Sequence, residues 1–202
     1  MVSLLAMISV AKLLTAKKKR AQEIRGKEVD TPEFEEARQK ELQSFIDIET
    51  YAEVDDDGQQ AISTRWGYTY KPLPDGGSKP KARLVARGYE DRDIHLLDTS
   101  SPTCTKANFR LALALSRTFG WVPHGIDVKT AILQGKELHR TVYLRPPKDL
   151  YSRKRGTLRK LKKSVYGLGD APKLWFESLT DHLKNTGALW SPPDPTFLWW
   201  KH

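Results

Sequence analysis

Cysteine and long apolar runs are both scarce in this chain. The single cysteine, Cys104, excludes an intramolecular disulfide and is typical of a reducing compartment, which favours an intracellular location, cytoplasmic or nuclear. The five histidines are scattered, and no spacing among them suits a zinc site. No stretch reaches the roughly 20 apolar residues that a membrane-spanning helix needs, so we expect no membrane span.

The apolar segment at residues 1–14 is interrupted by Lys12 and followed by a basic cluster at residues 17–20. A secretory signal carries its positive charge before the apolar run, so this order argues against one. We expect an amphipathic helix at residues 1–14, with a peripheral membrane anchor as the alternative. The basic cluster is either a nuclear import signal or a solvated helix face.

Acidic residues are in the minority. The chain has 25 Asp and Glu against 34 Lys and Arg, which gives a net charge of +9 and a pI near 9.6. Such a balance predicts a polyanionic partner, either nucleic acid or an acidic membrane surface. The densest basic run would follow the phosphates of a template or primer, or else form a solvated hairpin. Its cations are Arg153, Lys154, Arg155, Arg159, Lys160, Lys162 and Lys163.

The residue patterns divide the chain into three parts. Residues 1–50 are charged and helix-prone, with a helix start at Thr31-Pro32-Glu33. Residues 51–100 contain strand patterns separated by turn sequences and predict an antiparallel three-stranded meander. Residues 101–202 contain two helical patterns, one ending near Gly120 and one stopped by Gly187, with a strand at residues 122–132 between them. Together these elements predict an α+β fold with an antiparallel sheet and packed helices.

One acid lies between apolar residues in the segment at residues 125–135. Asp127 follows Ile126 and precedes Val128, at the end of the predicted buried strand. Burying a carboxylate is costly unless it is paired or binds a metal. Taken alone, the segment favours an Asp that accepts backbone hydrogen bonds, and a metal ligand is the alternative.

Several segments, taken in order, resemble a known family. They read KARLVARGYE at residues 81–90, SPTCTKANFRLALALS at 101–116, GIDVKTAILQG at 125–135, KLKKSVYGLGDAPKLW at 160–175 and SPPDPTFLWW at 191–200. Over roughly residues 35–202 the chain closely resembles the reverse transcriptase domain of copia-type retrotransposon Pol polyproteins. The resemblance implies an RNA-directed DNA polymerase with fingers at residues 51–100 and a partial palm at 101–202. It also implies two Mg²⁺ ions, an RNA template with a DNA primer or hybrid, and deoxynucleoside triphosphates.

The resemblance also implies roles for individual residues. Asp127 would be the first of three metal-binding Asp residues, with the backbone carbonyl of Val128 as a further ligand. Lys81, Arg83 and Arg87 would contact the incoming triphosphate, Arg83 foremost. They occupy alternating strand positions and so predict a cationic row on one face, with a solvated edge row as the alternative.

Four further positions are compared with the family pattern. Gly167 and Pro172 match a loop that packs on the nascent base pair and template. Ile132 stands where the family has an aromatic residue that crowds a ribose 2′-hydroxyl, which puts sugar discrimination in doubt. Asp170 departs from the family pattern by placing an acid near the presumed phosphates.

The paired acids of the family's Tyr-Val-Asp-Asp turn do not occur in residues 1–202. We therefore expect a palm that ends before the paired-Asp hairpin and a polypeptide that does not polymerise alone. The alternatives are a non-catalytic nucleic-acid-binding remnant and a basic protein with an acidic protein or lipid partner. In the expected palm, the Asp127 strand pairs with a strand at residues 197–200, and Trp199 and Trp200 are partly exposed.

Overall fold

The fold combines three α-helices with eight strands within the residues that the computed structural model describes, namely 2–7, 23–147, 156–191 and 194–201. This confirms the predicted α+β class. The helices are α1 (Pro32–Asp47), α2 (Lys106–Phe119) and α3 (Ala171–Asn185). The strands are β1 (Val2–Met7), β2 (Tyr51–Asp55), β3 (Ile62–Pro72), β4 (Ser78–Ala86), β5 (Tyr143–Arg145), β6 (Thr157–Leu161), β7 (Leu189–Ser191) and β8 (Asp194–Lys201).

Helix α1 begins where the sequence predicts it. Thr31 is extended, Pro32 occupies the first turn, and acidic residues follow where the helix dipole favours them. The buried stripe consists of Phe34, Glu41 and Phe45, and it packs against β4. The helix therefore lies against β4, the strand that carries Lys79, Lys81 and Arg83.

The other two helices also confirm the sequence patterns. The Thr105 side chain caps α2 by accepting a hydrogen bond from the Asn108 N–H at 3.1 Å. Gly120 ends α2 in the left-handed conformation with φ of 68°, which a glycine adopts at little cost. Helix α3 has Pro172 in its first turn and packs against the short 3-10 helix Ala131–Gln134.

The main sheet has five strands in the order β2-β6-β5-β3-β4. Strands β3 and β5 are parallel, and the other neighbours are antiparallel. The β3–β4 hairpin confirms part of the predicted meander, but the pairing of β2 with β3 is wrong. Strand β2 pairs instead with β6, an inner strand whose Leu158 and Leu161 side chains are buried.

A second, antiparallel sheet has the order β1-β8-β7. The amphipathic helix expected at residues 1–14 is wrong over Val2–Met7, which form a strand along one edge of β8. Pairing with that edge satisfies backbone groups that a helix would have satisfied internally. The remainder of that segment and the basic cluster at 17–20 lie outside the described residues. Trp199 and Trp200 are half-buried, as predicted.

The main core lies between α1, the five-stranded sheet and α3. Its largest fully buried members come from distant parts of the chain: Phe45, Leu84, Leu133, Leu144 and Val165. Each such side chain contributes about 1.5–3 kcal/mol through removal from water. Among the described residues, no helix combines the length and the apolar character needed to cross a bilayer.

Candidate functional site

The exposed face of the β3–β4 hairpin is rich in positive charge. Along β4, Lys79 and Arg83 are exposed and Lys81 between them is half-buried on the same face, while Ala82 and Leu84 on the other face are buried. Lys71 of β3 lies directly opposite Lys79 in the ladder and shares this face. We call Lys71, Lys79, Lys81 and Arg83 the cationic face. The alternation predicted for Lys81 and Arg83 is confirmed, whereas their role stays a prediction.

Sequence reasoning missed Lys71 and Lys79. The signal was present, because both follow the two-residue period of a half-buried strand. None of the ion pairs between described residues involves a member of the cationic face, although Arg65 nearby is paired with Glu23. Four neighbouring cations that make no ion pair with a described carboxylate are suited to binding an anion.

Arg87 does not continue this row, so that part of the prediction is wrong. Strand β4 ends at Ala86, and Arg87 has left the strand conformation with φ −85° and ψ 72°. Its Nη1 donates to the Ser63 hydroxyl at 3.2 Å and lies 3.9 Å from a Glu90 oxygen. Since Glu90 partly neutralises this guanidinium, Arg87 serves chiefly to hold the end of the hairpin.

Asp127 lies in an exposed connection, and the strand predicted at residues 122–132 is wrong. Ile126 beside it is 91% exposed. Pro123 lacks an N–H and Gly125 weakens strand propensity, so the segment is poorly suited to a ladder. The expected partner is also unavailable, because β8 is paired with β1 on one edge and β7 on the other.

Asp127 nevertheless acts electrostatically on one member of the cationic face, Lys81. Partial burial and the neighbouring charge of Arg83 lower the pKa of the Lys81 ammonium, and the carboxylates of Glu41 and Asp127 act in the opposite direction. The predicted acid and a predicted triphosphate-binding lysine thus interact electrostatically, although they are separated by more than 40 positions in sequence.

The donor set around Asp127 does not fit a pair of Mg²⁺ ions. Two metals close together repel each other and need several carboxylates to hold them. Within the described ranges, no group of three His, Cys, Asp or Glu side chains is placed to hold a metal ion. Asp127 and the Val128 carbonyl alone are too few ligands, so we assign no catalytic step through a metal to these residues.

Asp170 makes an ion pair within the protein, and the expectation that it lies near phosphates stays a prediction. Its Oδ2 accepts from Arg140 Nε at 3.1 Å, and Arg140 Nη2 lies 2.8 Å from an Asp91 oxygen. Burial alone would lower the pKa of the Arg140 guanidinium, but the hydrogen bond to Asp170 and the ion pair with Asp91 outweigh that effect and raise it. This buried bridge joins the loop after β4 to the start of α3.

Gly167 lies in a loop that docks on the end of β4. The Ala86 N–H donates to the Tyr166 carbonyl at 2.7 Å, and Gly167 has φ of 96°. Ile132 is half-buried against the main core, and its carbonyl accepts from the Ser164 hydroxyl at 3.0 Å. Contacts within the protein therefore explain the presence of Gly167 and Ile132 at these positions. Their predicted contacts with a nucleotide stay a prediction.

Pro172 is exposed in the first turn of α3, and its carbonyl accepts from the Ser101 hydroxyl at 3.2 Å. This bond ties the start of the helix to the segment before α2. Exposure leaves its ring accessible to a ligand.

The basic run is only partly a surface feature. Arg153, Lys154 and Arg155 lie outside the described residues. Lys160 and Lys162 are exposed and Lys163 is half-buried, so these three can reach a phosphate. The prediction for Arg159 is wrong, because its side chain is only 5% exposed and its guanidinium lies 4.5 Å from the centre of the Tyr51 ring.

A buried polar cluster near Asp194 was not predicted. Its Oδ1 accepts the Thr196 N–H at 2.8 Å and the Thr196 hydroxyl at 2.5 Å, while Oδ2 accepts from the Asn108 amide. Burial acts to raise the pKa of Asp194, but these hydrogen bonds lower it overall. Nearby, burial raises the pKa of the Cys104 thiol, which is typical of a packed and unreactive side chain. The cluster fastens α2 to β8.

Comparison with known proteins gives a consistent family assignment. The family described as reverse transcriptase (RNA-dependent DNA polymerase) matches residues 48–192. The Retrovirus-related Pol polyprotein from transposon RE1 of Arabidopsis thaliana is 34% identical over 140 residues, which cover 68% of this chain and 10% of that protein. The corresponding polyprotein from transposon TNT 1-94 of Nicotiana tabacum is 31% identical over 165 residues, or 79% of this chain and 12% of that protein. The chain thus spans about a tenth of the length of these relatives, and no solved structure matches it.

Proposed function

The chain belongs to the reverse transcriptase (RNA-dependent DNA polymerase) family, and on that premise we propose that it binds nucleic acid and deoxynucleoside triphosphates through the cationic face. The observation that carries the proposal is the alignment of Lys71, Lys79, Lys81 and Arg83 on one side of a single hairpin. Relatives named as retrovirus-related Pol polyproteins support the same class of ligand.

The chemistry of the cationic face suits phosphate groups. Arg83 offers a planar fork of donors that can contact two phosphate oxygens at once, while Lys79 and Lys81 act as point charges. The β4 backbone fixes these side chains at alternate positions, so they are presented together without reorganisation of the sheet. Binding of this kind releases counterions and weakens as the salt concentration rises.

Polymerisation with two metal ions requires more carboxylate ligands at one site than the described residues provide. In the proposed function, Asp127 contributes one metal ligand of an RNA-directed DNA polymerase site, and further carboxylates complete the set for Mg²⁺. A non-catalytic nucleic-acid-binding role for residues 1–202 is the second candidate, and the isolated position of Asp127 favours it. Both candidates share the cationic face, and we place both inside the cell on the basis of the single buried cysteine.

Binding of a fluorescent RNA–DNA hybrid, titrated against salt, tests the proposal. Replacement of Lys79, Lys81 and Arg83 by Ala should weaken binding and flatten the salt slope by about 2 to 3 units, close to one for each lost phosphate contact. The control replaces three exposed helical cations, Lys40, Arg117 and Lys184, and changes the net charge by the same amount. An equal loss in both triple variants would show that overall charge, rather than the cationic face, binds the hybrid.

A further inference from the structure

Glu41 is an acid in the middle of the buried stripe of α1. It is 9% exposed, between Phe34 at 0% and Phe45 at 1%, one to two turns away on the same side of the helix. An ionisable side chain at such a position costs free energy unless it has a partner. The contacts of the Glu41 side chain therefore indicate its role.

The partner of Glu41 is the outer edge of β4. Its Oε1 accepts the Leu84 N–H at 3.2 Å. The next outward N–H of that edge, from Ala86, is bound by the Tyr166 carbonyl. Because Leu84 N–H belongs to the peptide that joins Arg83 to Leu84, the carboxylate holds the backbone directly beside the Arg83 side chain.

Glu41 interacts electrostatically with two members of the cationic face, Lys81 and Arg83, but it forms no ion pair with either of them. Burial raises the pKa of Glu41, while the Leu84 N–H and the charges of Lys81 and Arg83 lower it. None of the ion pairs between described residues joins Glu41 to either cation. The two cationic head groups therefore remain available to a ligand while the backbone between them is fixed from behind.

We propose that Glu41 is a positioning residue for triphosphate binding, which anchors the Arg83–Leu84 peptide to α1 so that Lys81 and Arg83 hold a constant spacing on the cationic face. This inference rests on the proposed function and adds to it a residue that makes no contact with the ligand. Its action is mechanical, through a hydrogen bond, and does not require the carboxylate charge.

Isothermal titration with metal-free deoxythymidine triphosphate tests this inference. Glu41→Ala removes the acceptor and should weaken binding about fivefold to tenfold, the equivalent of one hydrogen bond. Glu41→Gln retains an oxygen acceptor of the same reach and should restore binding to within about twofold of wild type. Glu36 on the exposed side of the same helix provides the control, and Glu36→Ala should leave the affinity unchanged.

Two further variants separate positioning from mere stabilisation. Should Glu41→Ala not fold, Glu41→Asp keeps the charge but withdraws the carboxylate by one methylene, and it should weaken binding similarly. In an Arg83→Ala background, the effect of Glu41→Ala on affinity should fall below about twofold, because the main group it positions is gone.

Distinct results would overturn the inference. Wild-type affinity in Glu41→Ala with a lowered melting temperature would make the residue purely structural. Equal losses in Glu41→Ala and Glu41→Gln would assign the effect to charge. If the wild-type chain binds the hybrid but not the triphosphate, the inference fails and nucleic-acid binding survives; if it binds neither, the proposed function fails with it.

Discussion

Gly88 and Gly167 meet backbone to backbone. A Cβ on Gly88 would overlap the carbonyl oxygen of Gly167, and a Cβ on Gly167 would overlap the carbonyl oxygen of Ala86 and lie 2.8 Å from Val85 Cγ1. The loop that carries Gly167 can therefore dock on β4 only because neither residue has a side chain. This close approach places the loop beside the cationic face.

Gly167→Ala should destabilise the fold by about 3 kcal/mol or more, because it combines a strained φ with a backbone collision. Gly58 is the matched control, since it also has positive φ but an added Cβ there meets nothing within 4 Å. Gly58→Ala should cost only about 1–2 kcal/mol. Denaturant unfolding of both variants measures the difference, and equal losses would contradict the close approach.

Asp194→Ala should lower the free energy of unfolding by about 3 kcal/mol, because the Thr196 N–H and hydroxyl and the Asn108 amide lose their acceptor inside the protein. Asp181 of α3 provides the comparison. It is half-exposed and paired with Lys136 at 2.6 Å, so Asp181→Ala should cost less than about 1 kcal/mol. Similar losses in the two variants would show that the buried cluster is not an anchor between α2 and β8.

The stability difference between Glu41→Gln and wild type should grow as the pH rises. Burial raises the pKa of Glu41, so the folded state holds this proton more firmly than the unfolded state. The contribution of the protonated Glu41 carboxyl to the free energy of unfolding is complete below its unfolded pKa. This contribution is lost as the pH rises through its folded pKa. The variant has no such loss, so its stability relative to wild type should increase as the pH rises above the unfolded pKa of the Glu41 carboxyl.

Glu90→Gln should show the opposite trend in the same experiment. Hydrogen bonds from the Ser63 N–H and hydroxyl lower the pKa of Glu90. Its stabilising contribution is present above the unfolded pKa and disappears as the pH falls. Urea unfolding across the pH series measures both variants, and parallel curves for them would refute the assigned environments.

Residues 1–202 should not extend a DNA primer on an RNA template with magnesium or manganese, because Asp127 alone cannot hold two metals in register. A fusion that supplies an adjacent pair of Asp residues on a following hairpin should recover activity. Asp127→Asn should abolish that recovered activity. Templated extension by residues 1–202 that depends on Asp127 would contradict the ligand count.

Local patterns predicted α1, α2, α3 and the β3–β4 hairpin, because caps, periodicity and turns act over a few residues. The starts of α1 and α2 and the alternation of Lys81 and Arg83 all depend on such neighbours. Family resemblance predicted the region that matches reverse transcriptases. These features need no knowledge of distant contacts.

Most of the failures arise from contacts between remote segments of the chain. Asp127 appeared to be in a buried strand because Ile126 and Val128 flank it, but its expected partner β8 is already paired with β1 and β7. Arg159 appeared to be one of several surface cations, yet the Tyr51 ring and the sheet bury it. Periodicity cannot reveal which edge is already occupied or which ring covers a cation.

The strand order of the main sheet has a consequence for co-translational folding of the chain. The β3–β4 hairpin can close as soon as a short turn has emerged, and α1 can pack on it at once. Strand β2, in contrast, leaves the ribosome roughly a hundred positions ahead of its partner, from Tyr51 to Leu161. Until synthesis reaches β6, the nascent chain carries an unpaired strand edge, which is open to other polypeptides and to chaperones.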